Sequence, residues 1–354
     1  MAAPNEENQR VDLVCEGGGV KGIGLAGAYS VLEEEGWRPQ NVAGTSAGAI
    51  TAALIAAGYA SAELKEIVFG LDFRRFKDST WQNRVPVVGR PLSILMANGV
   101  FKGDEFVEWM RGMLEAKGVR MFKELRTEWE DPKYSSRLQV IASDVTSRKL
   151  LILPRDAHII GLEQDELDVA LAIRMSMSIP IFFKPVRVPD KDGKDHLVVD
   201  GGMLSNFPVW LFDCEADEEP EWPTFGLLLV EPHPKMQIGM RLPKPEPAPR
   251  GVRGLMQLLS GMLHTMMEAH DRLYLERSEF ARTIPIPTLG VGTTEFDLPT
   301  KRKQELYDSG RKAAEEFLAT WDFDAYLSMF RDGKPKGRRE EITDAFKVQK
   351  GAVV

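Results

Sequence analysis

An α/β protein with a central, mostly parallel sheet flanked by helices is predicted by three features of the sequence. Short apolar runs lie close together near the start of the chain, glycines follow each run at once, and a helical pattern follows each glycine turn. Residues 11–15 are largely apolar without strict alternation, which suits a strand buried on both faces of a parallel sheet. Glycines come next, then a helical pattern over 22–35 closed by Gly36. Val42 and Ala43 make a short second strand that runs into Gly44-Thr45-Ser46-Ala47-Gly48, and an alanine-rich helix follows. Between 72 and 103 the breakers Pro86, Gly89, Pro91 and Gly99 loosen the pattern, so this segment reads as an insertion or lid. Residues 106–114 return to helix, 138–142 and 150–153 read as strands, and 167–175 as a helix that stops ahead of Pro180. Residues 197–199 form a short strand ending in Asp200-Gly201-Gly202, and 225–230 form a further buried strand.

The organisation that follows is one domain over 11–331 between a flexible N-terminal tail, 1–10, and a charged, flexible C-terminal tail, 332–354. Beyond the proline-rich stretch 243–249, apolar residues recur at helical spacing from Leu255 to Met267, so 243–280 is a candidate cap helix or an ordinary core helix.

Composition narrows the function. At 354 residues the chain is long enough for a substantial core, and 43% hydrophobic with 28% charged residues is ordinary for a globular protein. A formal net charge of −8 argues against nucleic acid as the partner, since phosphate binding wants a basic face. The 2 cysteines, Cys15 and Cys214, read as reduced, buried thiols rather than a disulfide framework. Residues 1–10 carry no apolar leader and the Ala/Gly-rich run 47–62 is too mild to span a bilayer, so a cytoplasmic protein is expected.

Three motifs carry chemistry. Gly44-Thr45-Ser46-Ala47-Gly48 matches G-x-S-x-G: a nucleophilic serine on a tight strand-to-helix turn needs neighbours without bulk, and the helix N-terminus favours developing negative charge. Gly17-Gly18-Gly19-Val20-Lys21-Gly22 follows the first strand, and consecutive glycines can turn backbone N–H groups toward one point. The same residues satisfy G-x-G-x-x-G, but a dinucleotide site would want an acidic residue after the second strand, where Gly44-Thr45-Ser46 stands. Asp200-Gly201-Gly202 places a carboxylate beside two glycines at a strand end; alone it is a common Asp-Gly turn.

Together and in this order the motifs resemble the patatin-like phospholipase family. Residues 176–186, with Ser176, Ser178, Pro180 and Pro185, resemble that family's stretch ahead of its Asp motif, and Asn206 and Pro208 follow it as they often do there. The resemblance covers about 11–208 and implies a patatin-like fold with a mobile lid or cap. It implies Ser46 as nucleophile and Asp200 as general base, with the N–H groups of Gly17, Gly18 and Gly19 as the oxyanion hole. Lys21 would hold the loop or attract a phosphate, and Gly44, Gly48, Gly201 and Gly202 would support the two turns. Glu16 stands where the family often has Asp and is not expected to touch the chemistry. The implied substrate is a phospholipid or related lipid ester, met by peripheral contact with a membrane, with no metal and no cofactor.

Alternatives stay open. A Ser-Asp-His triad could recruit His233 after the strand at 225–230, and Asp144 is a lesser candidate for the base. A module that only binds nucleotide or lipid through the glycine loop is the reading from another class.

Overall fold

The computed structural model describes residues 9–71, 103–180, 182–214, 219–231, 277–293, 295 and 297–330. The sequence-predicted lid at 72–103, apart from Gly103, the candidate cap helix up to 276, His233 and the tails 1–8 and 332–354 lie outside them. Arg10, assigned above to the tail, is the first residue of a strand and pairs with Arg38.

The chain begins with β1 (Arg10–Cys15), α1 (Ile23–Glu34), β2 (Arg38–Thr45) and α2 (Ala47–Ala56). The strand–helix–strand–helix rhythm read from the sequence is thus present, with a longer second strand. The alanine-rich stretch is followed by a second helix, α3 (Ser61–Gly70). Next come α4 (Asp104–Glu115), β3 (Leu138–Asp144), β4 (Lys149–Leu153), α5 (Val169–Ser176), β5 (Val186–Pro189), β6 (Asp195–Asp200) and β7 (Thr224–Val230). The described residues close with α6 (Arg277–Ala281), β8 (Thr283–Pro287), α7 (Thr300–Leu318) and α8 (Phe323–Phe330).

Among the described residues the strands form one 8-stranded sheet in the order β5-β6-β3-β2-β1-β7-β8, with β4 also paired to β3. The β3-β2-β1-β7-β8 core is parallel throughout. The pairs β3–β4, β3–β6 and β5–β6 are antiparallel, so the predicted parallel sheet carries an antiparallel margin. Successive side chains on a strand face opposite ways. Leu13, Cys15, Val42, Val140 and Ala142 join the larger core with helices α1, α2, α3 and α5, whereas Val14, Ala43 and Ile141 belong to a smaller cluster closed by Phe207, Val209, Leu211 and Phe212.

Helix α7 was not anticipated. Its Leu306, Tyr307, Gly310, Ala313 and Ala314 are buried at helical spacing, and it crosses α1 closely. A Cβ at Gly310 would lie 1.9 Å from the Gly24 carbonyl oxygen, so only glycine permits that approach. Among the described residues, no helix is long and apolar enough to cross a membrane. Cys15 is buried and Cys214 only partly so; both are free thiols, which corrects the expectation that Cys214 is a core residue.

Candidate active site

Ser46 alone makes the change of direction between β2 and α2. It does so at φ 53°, ψ −124°, a conformation that costs a residue with a side chain about 1–3 kcal/mol and persists only where the surroundings enforce it. The surroundings here are specific. The Ser46 N–H donates to Ser176 Oγ at 2.8 Å, and that hydroxyl donates to the Ile141 carbonyl at 2.5 Å. The first turn of α2 lies against the end of β1, and a Cβ at Gly48 would fall 2.3 Å from the Cys15 carbonyl oxygen and 2.5 Å from that of Glu16. Gly48→Ala is therefore expected to destabilise the protein by about 3 kcal/mol or to displace the turn, read as a lower urea midpoint with an unchanged slope.

The ladder of β3 brings Asp200 to this turn. Strands β2 and β4 both pair with Val140 and Ile141, so they occupy opposite edges of β3. Strands β4 and β6 both pair with Ala142, Ser143 and Asp144, so they too are on opposite edges. Hence β6 continues along the edge that β2 leaves. Thr45 is opposite Ile141 and Asp200 is opposite Ala142, the next residue. The serine that follows the last residue of β2 and the aspartate that ends β6 therefore meet head to head.

Asp200 is fully buried. Its N–H donates to the Ser178 carbonyl at 3.0 Å, and its Oδ1 accepts the Gly202 N–H at 2.8 Å. Oδ2 has no hydrogen bond of ordinary geometry among the described residues, while the Ser46 hydroxyl is the side chain acting on this carboxyl as a donor. Burial pushes the Asp200 pKa up to about 7, and Ser46 and the Gly202 N–H offset only part of that rise. A carboxylate with this affinity for a proton is a competent base near neutrality.

The glycine loop lies across the same turn. A Cβ at Gly17 would come 3.2 Å from the Ser46 Cβ. The Gly17 N–H is already donated to the Asn206 carbonyl at 3.1 Å, which corrects its place in the expected oxyanion hole. The N–H groups of Gly18 and Gly19 make no hydrogen bond with the described residues and remain the candidate donors. Lys21 is buried, with its amine 3.6 Å from Glu231 at the end of β7, an arrangement that holds the loop. Gly44 and Gly201 sit where the chain is tightest: a Cβ would lie 2.4 Å from the Gly48 carbonyl oxygen and 2.3 Å from that of Ile141, respectively.

Asp144 is not brought to Ser46 as a base. Its carboxylate accepts from Thr146 N–H, the Ser147 hydroxyl and His196 Nδ1, the last at 2.6 Å, and so shapes its own loop. His196 lies four residues before Asp200 on β6, about 13 Å away at strand rise. A cavity of about 930 Å³ opens at the other end of β2, among Trp37, Arg38, Tyr59 and Trp129, and neither Ser46 nor Asp200 lines it. The residues whose roles sequence reasoning missed are Ser176, which braces the elbow, and Glu16 and Asn206, which brace the glycine loop. Ser176 and Asn206 lay in stretches already singled out; nothing local distinguished their bonds.

An α/β sheet, a serine at a strained strand-to-helix turn, a buried carboxyl and a glycine loop at one point define the class of an elbow-type acyl hydrolase scaffold. Residues 13–213 match the family model described as patatin-like phospholipase, and the chain belongs to that family. At this level it is grouped with lipid acyl hydrolases. It is 37% identical over 314 residues to the protein YqhO of Bacillus subtilis (strain 168), covering 88% of this chain and 99% of that one. An NTE family protein of Mycobacterium tuberculosis is 28% identical over 213 residues, covering 58% of this chain and 29% of its own. Among solved structures, VipD from Legionella pneumophila is similar in fold, with a TM-score of 0.50 at 18% identity, over 88% of this chain and 67% of that one.

Proposed function

We propose that the protein cleaves carboxylic esters of lipids, as a phospholipase A or lysophospholipase, through an acyl-enzyme on Ser46 with Asp200 as general base. The observation that carries this reading is the shared edge of β3, which delivers Thr45-Ser46 and Asp200 to adjacent register positions. In the first step Asp200 Oδ2 takes the Ser46 proton as Oγ attacks the ester carbonyl. The Gly18 and Gly19 N–H groups and the N-terminus of α2 receive the developing oxyanion. Collapse breaks the carbonyl–oxygen bond, and the leaving alcohol takes the proton from Asp200. Water then attacks the acyl-enzyme, gives its proton to Asp200, and releases the fatty acid while the proton returns to Ser46.

Because that carboxyl titrates near neutrality, kcat/KM should rise as pH rises toward the alkaline side of 7, where Asp200 is ionised. The ester bonds of phospholipids lie at a membrane surface, so peripheral contact with membranes belongs to the proposal, as does a cytoplasmic setting.

The test is fatty-acid release from vesicles of phosphatidylcholine and from lysophosphatidylcholine, with wild type, Ser46→Ala and His233→Ala. Release by wild type and His233→Ala, and none by Ser46→Ala, is the expected result. Loss of release in a folded His233→Ala would replace the dyad with a triad.

A further inference from the structure

We infer that Glu16 is a positioning residue for the oxyanion-binding loop, its carboxylate standing in for a sheet carbonyl and tying that loop to the segment that follows Asp200. The inference rests on the acyl-transfer reading above.

Glu16 is the point where the chain leaves the sheet. Cys15 is in register with Leu227 on β7, and the Glu16 N–H continues that ladder by donating to the Leu227 carbonyl at 3.1 Å. In a regular parallel ladder the Leu229 N–H would next donate to the Glu16 main-chain carbonyl. It donates instead to Glu16 Oε2, at 2.5 Å. The main-chain carbonyl is turned toward α2, where a Cβ at Gly48 would sit 2.5 Å from it. The side chain thus satisfies the sheet N–H that the departing main chain would orphan.

The other oxygen reaches the opposite half of the site. Glu16 Oε1 accepts the Asn206 side-chain amide at 3.1 Å, and the same amide nitrogen donates to the Gly17 carbonyl at 3.0 Å. The Asn206 main-chain carbonyl in turn accepts the Gly17 N–H at 3.1 Å. One carboxylate therefore fixes β7, the glycine loop and the chain six residues beyond Asp200 relative to one another. Gly18 and Gly19 inherit their aim from that fixed base.

Both of these Glu16 contacts are made to N–H donors, so the position demands a group that only accepts. Glu16→Gln keeps the shape and forces an NH₂ against either the Leu229 N–H or the Asn206 amide.

The experiment compares wild type, Glu16→Gln, Glu16→Asp and the remote buried control Leu64→Ala in α3 by turnover, melting temperature and amide exchange. The expected result for Glu16→Gln is a kcat loss of about a hundredfold with KM within about threefold. Exchange should quicken in peptides covering the loop from Glu16 and the chain around Asn206. Glu16→Asp, acceptor-only but a methylene shorter, should recover part of the rate. Leu64→Ala should lower the melting temperature with kcat within about twofold. Wild-type exchange in both peptides of Glu16→Gln would overturn the inference, as would a rate loss no greater than its loss of melting temperature explains by the Leu64→Ala standard. Inactive wild type would remove the proposed function instead, and exchange alone would still decide for or against Glu16.

Discussion

Asp200→Asn is expected to lower kcat by about a thousandfold and, above pH 7, to make the protein more stable. The rate loss follows from chemistry: asparagine can keep the Gly202 N–H bond through its oxygen but presents an NH₂ where Oδ2 must take a proton from Ser46. The stability gain follows from linkage. An Asp that titrates at 3.8 when unfolded and at about 7 when folded binds more protons in the folded state between those values. Folding stability contributed by this group therefore falls as pH rises from about 4 to 7, by about 4 kcal/mol in all, and stays low above that. The asparagine variant escapes this fall. Thermal melts across pH should show the two proteins alike near pH 4 and diverging toward pH 8, with the variant higher. A variant that loses stability at pH 8 would contradict the buried, charged carboxylate assigned here.

Ser46→Ala is expected to reduce ester turnover by about ten-thousandfold or more, since no acyl-enzyme can form. The fold should survive. Alanine keeps the Cβ at the positive-φ turn, and the bond that braces the elbow runs from the main-chain N–H to Ser176, not from the hydroxyl. A second effect is specific to the pairing. Removing the hydroxyl deprives Asp200 of a donor that lowers its pKa, so that carboxyl should titrate higher in the variant. Ester hydrolysis with a melting curve on the same preparation checks both rate and fold. Residual activity above a few per cent would point to another nucleophile.

Much of this site was legible in the sequence because its motifs are local. A turn that only small residues can make announces itself in five positions, and Gly48 shows why: its neighbours are the carbonyls of Cys15 and Glu16. What was not legible is the pairing that joins the motifs. That β6 takes over the edge of β3 from β2 is a long-range register, and no stretch of chain encodes it by itself. Glu16 reads as a mere flanking acid in the sequence because its partners, Asn206 and Leu229, are some two hundred residues distant. Gly17 looked like an oxyanion donor because a glycine triplet does not say which N–H is already taken.

The outer elements were missed for other reasons. Strand β8 drew no expectation from the sequence: it contains Pro285 and Pro287, which have no N–H to give a ladder, and at the end of the described sheet they leave no ladder position wanting on the far side. Helix α7 buries a narrow stripe beneath a strongly charged surface, so its average character hides the face that meets α1. Nor does a shifted carboxyl find the site unaided. Burial also raises Asp12 to about 7, yet it lies in β1 before Leu13, bonded to Asn41, and the position of Asp200 beside Ser46 is what distinguishes it.

The central claim is that Asp200 activates Ser46. Its most direct test is the rate of fluorophosphonate labelling from about pH 5 to about pH 9, with the adduct mapped to its peptide, in wild type and Asp200→Asn. The account predicts one adduct, on Ser46, forming at a rate that rises with a midpoint near 7 in wild type and stays low and flat in Asp200→Asn. An adduct on another residue, or the same pH curve in both proteins, would contradict it.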